Sequence, residues 1–313
     1  MTKILVTGAT GFVGANLVHR LVAKKADVYC MVRPKSDMWR LKGVLGRLAV
    51  HKADLADARA VKRVVRNVRP DVVYHAAAHG LFLKQEEAEQ MAASNVLGTV
   101  NLLEALHHTG TVRRIVNIGS FAEYNPDELY ISENSPLCPS NAYGASKASQ
   151  SFFAQYYARC YKMPIVIMRP TLIYGPYEEA RRLVPASILA QLRVVPLKLS
   201  SPKPRKDFLF IEDALDAFEL AVRRDIAPGE IFNIGLGKEY SIQEVVSAIQ
   251  HCTKVSVPLQ WGLLEGRPWD SPQKHTYDIS KAKRLLGWRP SHTLEDGLLK
   301  TIRWFKKYHA LYP

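Results

Sequence analysis

Short β-branched runs alternate with longer stretches of helical hydrophobic period through the first half of the chain. Lys3 to Thr7 predicts a strand, and Gly14 to Lys24, with apolar Leu17, Leu21 and Val22, predicts a helix. Further strands are predicted over Asp27 to Val32, Leu48 to Ala53, Asp71 to His75, Arg114 to Gly119 and Pro164 to Arg169. Helices are predicted over Asp57 to Asn67, Glu87 to Thr109 and Ala142 to Tyr161. This β-α-β-α rhythm implies an α/β fold, a doubly wound parallel sheet with helices on both faces and right-handed crossovers. After Arg169 the rhythm breaks at Pro170, Pro176, Pro185, Pro196, Pro202 and Pro204. Strand-like pieces return at Asp207 to Ile211 and Ile231 to Ile234, and helical ones at Asp213 to Arg223, Ile242 to His251, Ser280 to Leu286 and Leu294 to Tyr308. The expected organisation is a dinucleotide-binding domain over 1–170, with later returns near 207–235, and a smaller, interleaved C-terminal substrate lobe over 171–313.

Between the first strand and first helix stands Thr7-Gly8-Ala9-Thr10-Gly11-Phe12-Val13-Gly14. Three glycines at this spacing allow a tight turn and close backbone approach to a pyrophosphate, with the free N–H groups of a helix N-terminus behind it. Gly8, Thr10, Gly11, Phe12, Val13 and Gly14 are therefore candidate dinucleotide-binding residues of a Rossmann sheet. An acidic residue at the end of the second strand would bind the ribose 2′-hydroxyl of NAD. The chain reads Met31-Val32-Arg33-Pro34-Lys35-Ser36 there, with Asp37 too far along to replace the acid. Arg33 is a cation where the 2′-phosphate of NADP would lie, and Lys35 and Ser36 are placed to assist. NADP is the expected cofactor and NAD the alternative, in which Arg33 only stacks on adenine or faces solvent. Asp54, followed by Leu55, is placed to accept from the adenine amino group, and the small Ala76, Ala77 and Ala78 let a cofactor pass close to the backbone. His75 reads as a packed structural residue and His79 as a candidate to face substrate.

Tyr143 and Lys147 stand four apart at the start of a long predicted helix, on one face. An ammonium beside a phenol favours phenolate, so Tyr143 can pass a proton to or from a hydroxyl while hydride moves. Ser120, ending the preceding strand, is placed to hydrogen-bond a carbonyl oxygen.

Composition narrows the partners. Lys+Arg number 43 against 29 Asp+Glu, a formal charge of +14, which favours anionic ligands. The cations are dispersed and no zinc-finger or RNP-like pattern occurs, so a phosphorylated small substrate is expected and nucleic acid is not. Four cysteines, Cys30, Cys138, Cys160 and Cys252, show no Cys-x-x-Cys pair, so neither a metal site nor a disulfide framework is expected. No apolar run has the ~20 residues of a membrane span, and the N-terminus runs straight into the glycine turn without a signal-peptide pattern. The expectation is a cytoplasmic protein that does not enter a membrane.

These pieces together resemble the extended short-chain dehydrogenase/reductase family, also described as the NAD-dependent epimerase/dehydratase family. The matching segments are TGATGFVG at the start, Asp54-Leu55, HAAA at 75, NVLGTVNLLEA from Asn95, GS at 119, YGASK at 143, RPTLIYGP from Arg169, RKDFLFIEDALDAF from Arg205, NIGLG from Asn233 and DISKAKRLLGWRP from Asp278. The resemblance implies a catalytic set of Ser120, Tyr143 and Lys147, with Lys147 also binding the nicotinamide ribose. It implies that Asn95 belongs to the cofactor site and that the segment opening at Pro170 holds the nicotinamide carboxamide. It implies a nucleotide-sugar substrate, with Arg205 near the nucleotide and Arg267 on the diphosphate. Dimerisation through a four-helix bundle is also implied, with Phe152, Phe153, Tyr156 and Tyr157 as contact candidates.

The resemblance leaves several reactions. Dehydratases of this kind carry acids where Phe121 and Ala122 stand, and Glu123, one residue late, points the other way on extended backbone. Dehydration is therefore disfavoured. Arg33 favours NADPH-consuming reduction of a keto group on a nucleotide-linked deoxysugar. A 4-epimerase with tightly held NAD is the alternative, and a non-enzymatic dinucleotide sensor a further one.

Overall fold

The structure is a computed structural model, and it describes residues 2–80, 87–266, 270 and 275–312. In chain order the elements are β1 (Lys3–Thr7), α1 (Phe12–Ala23), β2 (Asp27–Val32), β3 (Ala49–Lys52), α2 (Ala58–Val68), β4 (Val72–His75), α3 (Ala88–Met91), α4 (Gly98–Thr109), β5 (Arg114–Ile118), β6 (Tyr130–Ile131), α5 (Ala142–Cys160) and β7 (Ile165–Pro170). There follow β8 (Leu172–Tyr174), α6 (Leu183–Arg193), β9 (Leu197–Lys198), β10 (Arg205–Phe210), α7 (Ile211–Arg223), β11 (Ile231–Ile234), β12 (Glu239–Ser241), α8 (Ile242–Thr253), β13 (Leu259–Gln260), β14 (Thr276–Tyr277) and α9 (Leu294–Tyr308).

Seven strands pair in the order β11-β7-β5-β4-β1-β2-β3, every pair parallel. The central strands β4, β5 and β7 are buried at every position, as strands covered on both faces must be. Each face has its own core. Leu17 and Leu21 of α1 and Phe218 of α7 pack on one side with Val6. Val61, Val64, Val65 and Val68 of α2 meet Leu102, Leu103 and Leu106 of α4 on the other, with Leu5. Adjacent residues of β1 thus serve opposite cores, the pleat's own alternation. Each fully buried leucine contributes roughly 1.5–3 kcal/mol. Asp57 starts α2 by accepting from the N–H groups of Arg59 and Ala60.

The smaller lobe is built on the sheet β12-β10-β8. Of the returns expected near 207–235, only Ile231–Ile234 enters the main sheet. Beside β7 that edge is taken by β11, so β10 pairs with β8 and β12 instead. The predicted helix from Glu87 to Thr109 is a π-helical stretch, Ala92–Leu97, between α3 and α4. No helix among the described residues is long and apolar enough to cross a membrane.

The sheet's strand order reverses between β1 and β4, and the crevice beyond their carboxyl ends is where ligands bind in such sheets. Gly8, at φ +68°, closes this point: a Cβ there would lie 2.5 Å from the backbone N of Ala77. A Cβ on Gly14 would lie 2.1 Å from the carbonyl oxygen of Gly8, so helix and turn touch backbone to backbone. Gly14→Ala is therefore expected to cost at least about 1–3 kcal/mol through overpacking. Urea denaturation measures it, and a variant as stable as the parent chain would contradict this packing.

Candidate active site

The glycine turn is the floor of a cavity of about 530 Å³ between the two lobes. Gly11 caps α1 without any side-chain hydrogen bond, and the first turn of the helix holds no acid. Its N–H groups are thus available to an anion. Gly11, Phe12, Val13, Gly14, Ala76, Ala78 and Pro170 line the cavity together with Ser120, Tyr143 and Lys147.

Ser120 ends β5 and starts a 3-10 turn, Phe121–Glu123, by a reciprocal cap. Its hydroxyl accepts from the Ala122 N–H at 3.1 Å, and its own N–H donates to Glu123 Oε1 at 2.7 Å. The other Glu123 oxygen accepts from Arg169 Nε at 2.7 Å, and Arg169 Nη1 reaches the Tyr124 hydroxyl at 3.0 Å. Tyr124 in turn donates to Asn233 Oδ1 at 2.6 Å. Glu123 is wholly buried and is not among the cavity-lining residues, whereas Phe121 and Ala122 are. Its aim away from the cavity comes from the cap of a tight turn, not from the extended backbone that the sequence reading assumed.

Asn141 caps α5 by accepting from the Gly144 N–H at 2.8 Å, which sets Tyr143 in the first turn. The Tyr143 hydroxyl hydrogen-bonds Ser120. Burial raises the Tyr143 pKa above the usual phenol value, opposed first by the Arg182 cation and then by the Ser120 hydrogen bond. Lys147 was expected to favour the phenolate, but the cation acting on the phenol is Arg182. The Lys147 ammonium is 2% exposed and donates to the Ile118 carbonyl and to Gln150. Burial pulls its pKa down to about 8, against the pull of Glu123. Gln150 is fixed by Asn117 Oδ1 at 2.9 Å. His75 is buried between Thr7 and Thr99, at 2.7 and 2.8 Å. Burial and the nearby Lys147 take its pKa down to about 3, so it stays neutral.

Cations and acids both line the rest of the cavity, among them Lys198 and Lys206 beside Glu239 and Asp270. Arg205 lines the cavity, held by the Glu239 carbonyl at 3.1 Å and by Glu244 at 3.2 Å, and its Nε is buried without a partner among the described residues. Arg267 lies outside the described residues. Arg182, one turn from Glu178, also lines the cavity. Sequence reasoning passed over both residues. Their signal was a glutamate pair and an arginine pair close behind Tyr174-Gly175-Pro176.

The remaining candidates lie away from this cavity. Arg33 and Lys35 are exposed just past β2, Ser36 is half-buried, and Asp37 is engaged by the Trp39 N–H at 2.9 Å. Asp54 is exposed and accepts from the Ala56 N–H, while Leu55 is buried against Gly98. Gly8, Thr10 and Ala77 belong to the turn and its contact across the switch point. Asn95, expected at the cofactor, is fully buried and bonds the backbone of His79 and the Ser146 hydroxyl. His79, expected to face substrate, pairs with Glu87 at 2.6 Å. Neither lines the cavity, because the π-helical stretch turns Asn95 inward to clamp the segment after β4.

A glycine turn at the switch point, sharing one cavity with a serine, a tyrosine and a lysine, is the arrangement of an enzyme of the extended short-chain dehydrogenase type. The chain belongs to the NAD dependent epimerase/dehydratase family, whose sequence profile matches residues 4–235. It is 30% identical over 339 residues to the dTDP-glucose 4,6-dehydratase of Neisseria meningitidis serogroup B, covering 97% of this chain and 93% of that one. The structure of DesIV, a dTDP-glucose 4,6-dehydratase from Streptomyces venezuelae with NAD and TYD bound, superposes with a TM-score of 0.89 at 27% identity, covering 99% of each chain. The UDP-glucuronic acid 4-epimerase of Bacillus cereus, in complex with UDP-glucuronic acid and NAD, gives 0.87 at 26% identity, covering 98% of this chain and 99% of that one.

The Arg169–Glu123 pair sets up a stability test. Arg169→Met leaves a buried carboxylate without its counter-ion, and a loss of about 3–5 kcal/mol is expected. Adding Glu123→Gln should recover part of it. Chemical denaturation of both variants checks this, and an unchanged single variant would show the pair to be dispensable.

Proposed function

We propose that the chain is an NADP(H)-dependent oxidoreductase that reduces the keto group of a nucleotide-linked deoxysugar. The observation that carries this reading is Arg33, exposed past β2 and without an ion pair among the described residues, with Asp37 engaged elsewhere. A cation in that place suits a 2′-phosphate, and an acid would not. The glycine cradle and the unfilled N–H groups of α1 fit a dinucleotide diphosphate. When bound, the nicotinamide supplies the hydride.

The chain's own residues do the rest. Ser120, with its hydroxyl fixed by the Ala122 N–H, orients the sugar carbonyl. Tyr143 gives its proton to the oxygen as negative charge develops there. Arg182 and Ser120 offset the cost of the buried phenolate that remains. Lys147 holds the nicotinamide ribose, and Arg205 offers an unfilled donor to the nucleotide's phosphates. Dehydration would need an acid beside the sugar, and Phe121 and Ala122 occupy those places.

Solved relatives with NAD favour a second reading, 4-epimerisation with retained NAD. Oxidation of NADPH by a 4-keto nucleotide sugar supports the first reading. Interconversion of UDP-glucose and UDP-galactose without net redox change supports the second. We further propose a cytoplasmic homodimer joined through α5, where Phe152, Phe153 and Tyr156 are exposed. Tyr157 is not part of that face, since it is buried in the core beside α4 and bonded to Glu104.

Tyr143→Phe is expected to keep cofactor affinity and to lower turnover by about 10²–10⁴. Full turnover would remove Tyr143 from the mechanism. Arg33→Ala is expected to weaken NADPH about tenfold or more, the worth of one charged hydrogen bond, and to leave NADH unmoved. Equal effects on the two nucleotides in a fluorescence titration would refute the 2′-phosphate role.

A further inference from the structure

Tyr177 sits at φ +67°, a left-handed backbone that an aromatic L-residue rarely takes. Three contacts enforce it. Its ring stacks on His19 at 5.0 Å and meets Trp304 at 4.7 Å, and its carbonyl accepts from Arg40 Nε at 2.8 Å. Backbone strain held this firmly is commonest where a neighbouring side chain must be aimed. The next residue is Glu178, which is 6% exposed, lines the cavity, and has a buried Oε2 without a hydrogen-bond partner among the described residues.

The segment carrying Glu178 is stitched to the glycine turn at two points. Asn16, in the first helical turn of α1, donates to Phe12 O at 2.9 Å and to Pro176 O at 2.8 Å. Arg40 bridges Tyr177 O to Thr10 O, the latter at 3.3 Å. The backbone leading into Glu178 is thus tied to α1 and to the glycine turn, and Glu178 lines the same cavity as the N-terminal end of α1, where the cradle offers its N–H groups. A carboxylate beside a bound diphosphate would repel it. A neutral carboxyl would donate a hydrogen bond to it, of the strong O–H···O⁻ kind.

We propose that Glu178 is a cofactor-contacting residue whose neutral carboxyl donates from Oε2 to a diphosphate oxygen of the dinucleotide, so that holding the cofactor and holding that proton are coupled. The proposal rests on the reading of this cavity as a dinucleotide site. The surroundings fit a neutral group: burial pushes the Glu178 pKa up to about 8, opposed by Arg182 and by the Gly175 backbone. The charged or titratable groups facing it among the described residues are Arg182 on its own segment, Tyr174 of β8, and Tyr312 near the C-terminus, itself close to Arg40. The sign follows by linkage. A bound anion raises the carboxyl's pKa further, so affinity is full below the free value and falls as pH rises through it.

Lys147 titrates in the same window and lines the same cavity, so the wild-type profile alone does not isolate Glu178. The test is NADPH titration, followed by nucleotide fluorescence, from pH 6.5 to 9.0 on the full chain and on Glu178→Gln. The amide stays a neutral donor at every pH. The expected result is that the wild type weakens by up to about tenfold more than Glu178→Gln between the two ends of the range. Parallel profiles would overturn the proposal. Should Glu178→Gln not fold, Glu178→Met serves: it is expected to bind more weakly than wild type at pH 6.5 and to show the smaller slope, and a wild-type slope overturns the idea equally. Binding of neither NADPH nor NADH by any form would overturn the dinucleotide reading itself, and this proposal with it.

Discussion

The buried ion pair between Arg169 and Glu123 sets the geometry of the cavity wall where Ser120 stands. Arg169 belongs to β7, and Glu123 closes the turn that begins at Ser120. One carboxylate oxygen takes the arginine and the other takes the Ser120 N–H, so the serine is tied to the neighbouring strand through a rigid, charged strut. Space around it is already spent: a Cβ on Gly119 would lie 2.4 Å from Glu123 Oε1. A buried pair of this kind is seldom the most stabilising filling for its volume, but removing either half is severe. Its contribution is that Ser120 has one place to be, facing Tyr143 across the hydrogen bond between their hydroxyls.

Lys147 depends on the same strand. Its ammonium donates to the Ile118 carbonyl, two residues before Ser120, so α5 and β5 are locked in register where the tyrosine and serine meet. The ammonium therefore has a fixed position before any ligand arrives, at the cost of burial that draws its pKa down to about 8. Such a lysine is poised to lose its charge near neutral pH, and an anionic or hydroxyl-bearing ligand would restore it. The phenol's basicity is set by burial, with Arg182 and Ser120 opposing it.

Local features were legible from sequence and tertiary ones were not. The glycine turn, the tyrosine–lysine spacing and the valine stripe of α2 are each carried by residues close in the chain, and their geometry needs no distant partner. α6 was missed because Pro185 read as a break. It stands third in a helix starting at Leu183, where proline's missing N–H has no intrahelical partner to lose. The π-helical stretch around Asn95 was invisible because its cause is tertiary: Asn95 must reach both His79 and Ser146. The aim of Tyr177 was equally hidden, since nothing in a Tyr-Glu-Glu run announces a left-handed tyrosine held by residues from α1 and α9.

Three buried carboxyls show how this chain handles charge. Glu123 has an arginine and a backbone N–H. Asp207 has no cation paired with it among the described residues, but Thr171, Leu236 and Gly237 donate to it, and burial still takes its pKa only to about 6. Glu178 is also buried, and its Oε2 has no donor among the described residues. Fold stability alone would not keep such a group, because replacing it with an apolar residue would remove an unsatisfied atom. The first two carboxyls are satisfied within the protein, and both are structural. The third lines the cavity, and under the proposal above it is the bound diphosphate that completes it.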